Sequence, residues 1–109
     1  MSYDDDWPDQ TLEDRRAMVQ QTVRRATLDE LKKLGELRFP IVTDPWYVRY
    51  SEFLAQHPDA SYFRAEIPGS VEIVYCRDSG SGVWFLPEKG MGILQPEGVK
   101  IMTEAVANL

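Results

Sequence analysis

The sequence predicts an α+β fold, with N-terminal helices, an antiparallel meander of three to four strands, and a C-terminal helix packed on one sheet face. Three observations carry this. Residues 61–94 break into short apolar runs separated by Pro68-Gly69, Asp78-Ser79-Gly80-Ser81-Gly82 and Pro87-Glu88-Lys89-Gly90, which is the punctuation of a meander. The segments on either side carry apolar residues at helical spacing instead. At 109 residues, 43% hydrophobic and 28% charged, the chain has the length and composition of a folded domain able to bury a core.

Residues 1–10 carry Asp4, Asp5, Asp6 and Asp9 with Pro8 and no structural period, so they read as a flexible acidic tail ahead of a single domain over 11–109. Trp7 is the one residue there suited to docking. Thr11, with Asp14 three residues on, opens a helix in which Leu12, Val19, Val23 and Ala26 fall on one stripe. Thr27-Leu28-Asp29-Glu30 is a stronger capping box, where the helix restarts or which it passes through, burying Leu28, Leu31 and Leu34 until Gly35 or Pro40 stops it.

Asp44-Pro45 predicts the start of a further helix, because an acidic N-cap precedes a proline that can occupy the first turn. Trp46, Tyr47, Tyr50, Phe53 and Leu54 follow at helical spacing, and His57-Pro58 closes the segment. A last helix spans about residues 96–107, with Val99, Met102 and Val106 on one face and Ile101 and Ala105 beside them.

In the meander, pairing Arg77 with Gly82 sets Tyr75 opposite Trp84, Val74 opposite Phe85 and Ile73 opposite Leu86. Pairing Ile67 with Ser70 adds Phe63 and Ala65 to the face of Val74, Cys76, Val83 and Phe85, the expected floor of the helical core. The opposite face then holds Tyr62, Arg64, Glu66, Val71, Ile73, Tyr75, Trp84 and Leu86. Because Val83-Trp84-Phe85-Leu86 is apolar in both strand parities, large apolar groups stand on both faces in any register. Either the chain's own helices cover the second face, or it receives a protein partner or a second copy, or it stacks nucleobases.

The partner reading makes this a small acidic, non-enzymatic protein-interaction module, with self-association as a dimer one of its forms. Its candidate contact residues are Tyr62, Arg64, Tyr75, Trp84 and Leu86, since Tyr, Trp and Arg among aliphatics are typical of interface cores. An alternative is a nucleic-acid-associated regulator using Arg15, Arg16, Arg24 and Arg25, which the sequence assigns to the first helical region. The net charge of −6 disfavours it, as it does binding to an anionic membrane. A third reading is a small ligand-binding protein with a pocket near residues 90–95, where Gly90-Met91-Gly92 leads toward a helix N-terminus.

No catalytic residues, cofactor or metal are expected. His57 is the only histidine and sits at a helix end, and Cys76 is the only cysteine, which excludes an internal disulfide. The glycines of Gly80-Ser81-Gly82 and Gly90-Met91-Gly92 lack the lysine of a phosphate loop. Ser79 and Ser81 have no histidine near them in sequence. An acidic N-terminus and the lack of a spanning apolar run place the expected location in the cytoplasm.

Overall fold

The computed structural model describes residues 12–41, 43–67, 71–86 and 90–109. The expected acidic tail with Trp7, the Pro68-Gly69 turn and Pro87-Glu88-Lys89 lie outside the described residues. Helices α1 (Leu12–Thr22), α2 (Leu28–Arg38), α3 (Pro45–Gln56) and α4 (Pro96–Ala107) accompany strands β1 (Arg24–Ala26), β2 (Tyr62–Ile67), β3 (Val71–Cys76), β4 (Ser81–Leu86) and β5 (Gly90–Ile93). The strands form one antiparallel sheet in the order β1-β2-β3-β4-β5, so there are five strands where three to four are expected.

The chain's own helices cover both faces of this sheet. Val19 and Val23 from the first helical segment and Ile101, Met102, Ala105 and Val106 from α4 pack on Phe63, Ala65, Ile73, Tyr75 and Trp84. On the other face Leu31, Leu34, Tyr50 and Leu54 from α2 and α3 pack on Tyr62, Val74, Cys76, Val83, Phe85 and Met91. This arrangement is the physical answer to apolar residues in both strand parities.

The register differs from expectation in two ways with unequal consequences. Tyr75 lies opposite Gly82 and Ile73 opposite Trp84, a two-residue shift that leaves β3 and β4 facing as expected. Its cause is the turn: Gly80, at φ 64°, supplies the left-handed residue and donates its amide to the Cys76 carbonyl at 3.0 Å. Gly82 is thereby left inside the strand, where a Cβ would meet the Val74 carbonyl at 2.6 Å. The other hairpin pairs Ile67 with Val71 rather than Ser70. That single-residue slip exchanges the faces of β2, sending Phe63 and Ala65 to the α1/α4 side and Tyr62 to the α2/α3 side.

The first helix also ends earlier than its apolar stripe implies. After Val23 donates to the Val19 carbonyl, residues 24–26 leave the helix and pair with β2, Arg24 opposite Arg64 and Ala26 opposite Tyr62. A local helical pattern yields here to the demand of the β2 edge for backbone partners. The Thr22 hydroxyl extends that protection, accepting from the Glu66 amide and lying 2.9 Å from the Glu66 carbonyl. Thr27 then caps α2 by accepting from the Glu30 amide, and Asp44 caps α3 by accepting from the Trp46 amide at 2.9 Å.

Gly35 does not stop α2; it sits buried within it, against α3. A Cβ there would stand 2.6 Å from the Tyr50 ring, which is anchored by its hydroxyl donating 2.7 Å to the Leu31 carbonyl. Tyr50 in turn meets Phe85 edge-on at 5.2 Å, so this close approach sets how deeply α3 reaches the sheet. Gly35→Ala is therefore expected to destabilise the fold by about 1–3 kcal/mol through overpacking, measured as a lower urea midpoint. An unchanged midpoint would show that the two helices separate without cost.

Candidate functional site

With both faces covered, the sheet's two edges are what remains, and they are finished differently. At one end β1 is three residues long and carries Arg24 and Arg25, both exposed, a short charged edge of the kind that resists further pairing. At the other end β5 reads Gly-Met-Gly-Ile, without a charge or a proline. Among the described residues β5 has no strand on its outer side.

The ladder defines what that edge offers. The Leu94 amide donates to the Gly82 carbonyl at 2.9 Å, and Trp84 lies opposite Gly92 and Leu86 opposite Gly90. The alternation of an antiparallel pair then turns the N–H and C=O groups of Gly90 and Gly92 toward β4, and those of Met91 and Ile93 outward. Packing dictates three of the four residues. A Cβ at Gly92 would collide with the Trp84 indole, Gly90 has φ 80° and lies against the Trp46 indole, and Met91 is buried in the α2/α3 core. Ile93 is the exception, with 60% of its surface exposed.

Beside this edge α3 contributes Trp46, Arg49 and Phe53, which with Val83, Met91 and Ile93 border a groove of about 420 Å³. The Arg49 guanidinium stacks 5.5 Å from the Trp46 ring centre, holding cation and indole together at the groove wall. Trp46 and Val48 are partly exposed, and Leu37 near the end of α2 and Ile41 in the segment leading into α3 are exposed as well. A second hollow of about 370 Å³ lies between α2 and α3 over Tyr50 and Leu54, with Lys32 and Glu36 in its lining.

The sequence-predicted contact set does not form one surface. Tyr62, Tyr75 and Trp84 are 2%, 2% and 3% exposed, and Tyr62 lies on the opposite face from the other two. As a correction to the aromatic-face expectation, these three are core residues under the chain's own helices. The Leu86 backbone pairs with Gly90, while its side chain lies outside the described residues. The Tyr75 hydroxyl meets Thr103 Oγ1 at 2.9 Å, and that of Tyr62 lies 2.9 Å from the His57 carbonyl. Burial raises the Tyr62 pKa to about 12 and raises that of Tyr50 as well, so both are neutral donors and neither is a base.

Arg64 belongs to a charged chain at the sheet face beneath α2. Its guanidinium reaches Glu30 at 2.7 Å and Glu72 at 3.3 Å; Glu30 also binds Arg24, and Glu72 also meets Arg38 at 3.5 Å. Of the arginines assigned to nucleic acid, Arg24 and Arg25 lie on β1 rather than the first helix. Arg24 is in this chain of ion pairs, Arg25 donates to the Ser61 hydroxyl, and Arg16 on α1 pairs with Glu104 on α4 at 3.3 Å. Arg15, beside Arg16 on α1, is half-buried.

His57 terminates α3, and the Cys76 thiol is fully buried. Among the described residues no group of three or more His, Cys, Asp or Glu is arranged to hold a metal ion, and no helix is long and apolar enough to cross a membrane. The site residues missed by sequence reading are Trp46, Arg49, Phe53 and Ile93, although the stretch near residues 90–95 is singled out there on other grounds. Trp46, Arg49 and Phe53 recur at helical spacing beside the core stripe of Tyr47, Tyr50 and Leu54, which is the signal that could have marked a second apolar face. No family model, curated protein or solved structure matches the chain.

The charged chain has a pH signature. Hydrogen bonding from Arg24, aided by Arg64 and opposed by desolvation, lowers the Glu30 pKa from 4.5 to about 2. Ionised Glu30 therefore contributes stability that is complete above about pH 4.5 and is lost as pH falls toward 2. Glu30→Gln is expected to lower stability at neutral pH and to flatten its decline over that acid window, read from urea midpoints against pH. An identical acid slope in the variant would remove Glu30 as the cause.

Proposed function

We propose that this protein is a non-enzymatic protein-interaction module that docks an extended polypeptide strand along β5. The observation that carries the reading is Ile93, a large aliphatic residue 60% exposed on an uncharged sheet edge, where core packing gives no reason for it. The outward N–H and C=O groups of Met91 and Ile93 would supply the affinity of strand addition. The groove bordered by Trp46 and Phe53 would receive alternate side chains and supply selectivity.

The other readings have weaker support. Arg16 and Arg24 already face carboxylates, which reduces their pull on a phosphate backbone. The hollow between α2 and α3 mixes Leu28, Leu54 and Pro58 with Lys32, Glu36 and Ser51, a lining that selects no particular class of ligand.

The test is site-specific cross-linking in cells that express the chain, with a photoreactive phenylalanine analogue placed at Ile93 or, as a control, at the exposed Lys100 on α4. Adducts are expected from position 93 alone. The cross-linked segment, identified by mass spectrometry and made as a peptide, should bind the purified protein, and Ile93→Lys should weaken it by about tenfold or more. Binding of that peptide unchanged by Ile93→Lys would defeat the proposal.

A further inference from the structure

Resting on the reading of β5 as a docking edge, we infer that the strand it receives is β5 of a second copy of this chain, related by a two-fold axis at Gly92. Three features of the edge fit a copy of itself. The first is the hydrogen-bond phase. Only Met91 and Ile93 direct their backbone groups outward, so a symmetric antiparallel pairing that uses both must set Met91 opposite the second copy's Ile93 and Gly92 opposite its own equivalent. This register makes two hydrogen-bonded pairs within a four-residue strand, whereas centring the axis on Met91 or Ile93 leaves only one inside it.

The second feature is shape. The axis falls on a pair that does not exchange hydrogen bonds, where opposing backbones approach most closely, and the residue there is glycine. Met91 and Ile93 stand on the same side of both copies and form aliphatic cross-strand pairs that cover the exposed Ile93. The two α3 helices lie on that side too, so their Trp46 and Phe53 faces flank the join.

The third is charge. A two-fold interface brings a patch against itself, so a patch of one sign repels. Although the chain carries −6 overall, the groove is lined by one cation and one anion, Arg49 and Glu52, one helical turn apart on α3. The patch is therefore neutral and self-complementary, with the antiparallel helices able to set Arg49 against the second copy's Glu52. A strongly charged foreign segment would gain nothing from it. The assembly is a ten-stranded sheet whose outer edges are the two arginine-bearing β1 strands.

Sedimentation equilibrium of the full chain over a wide concentration range, with amide exchange at Met91 and Ile93, tests this. The expected result is a mass rising from 12.5 kDa toward twice that value, with both amides protected only in the heavier species. Ile93→Lys, and Ile93→Pro, which removes an outward N–H that β4 does not use, should each weaken association by about tenfold or more. Gln20→Lys, exposed on α1, which packs against β2 and α4, should leave it unchanged. Circular dichroism establishes that each variant is folded. A dimer indifferent to both Ile93 substitutions, or a monomer at every concentration with freely exchanging Met91 and Ile93 amides, would overturn the second-copy inference. In either case the peptide assay of the preceding subsection decides separately whether the edge accepts a foreign strand.

Discussion

The constraint on which this fold depends is that its central strands are apolar on both sides. β3 and β4 place Ile73, Tyr75 and Trp84 on one face and Val74, Cys76, Val83 and Phe85 on the other, and none of them can be left in water. Two helices are needed per face, and the four described helices are all used in this way. No described helix remains to screen the edge of β5. The location of the candidate site is thus a remainder, fixed by what the core consumes.

Within that frame, small residues set distances and large ones fill the resulting space. Gly35 lets Tyr50 come close to α2, and Tyr50 reaches down to Phe85, which Phe39 also meets at 5.9 Å. Gly92 does the same on the other face by letting the Trp84 indole lie across β5. The glycines that make β5 smooth are therefore explained by packing. This is why Ile93, rather than the neutrality of the strand as a whole, is the informative residue.

The helical boundaries marked by Asp44-Pro45 and Thr27 were legible in the sequence because a capping side chain acts on its immediate neighbours. The last helix was legible for a related reason, since its wide apolar arc is a local pattern. What was not legible depended on contacts distant along the chain. Residues 24–26 become a strand only because the β2 edge is present to pair with them, and Arg24 is committed to Glu30 only once α2 has turned back. The faces of β2 turned on a single residue of hairpin register, and that moved Tyr62 and Arg64 across the sheet. The two-sided apolar pattern was visible from the start. That helices rather than a partner cover it is a fact of tertiary packing, and it shifts attention from face to edge.

Cys76 gives the molecule an internal clock. It is the only thiol, fully buried at the end of β3 between Tyr62 and Ser81 in the ladder, one residue from the exposed turn at 77–80. Its side chain packs beneath α2 and α3, so a thiol reagent in water reaches it only when that layer or this end of the sheet opens, and the labelling rate reports how often either happens. Its dependence on urea separates fraying of the hairpin, which exposes little new surface, from loss of the whole fold, which exposes much.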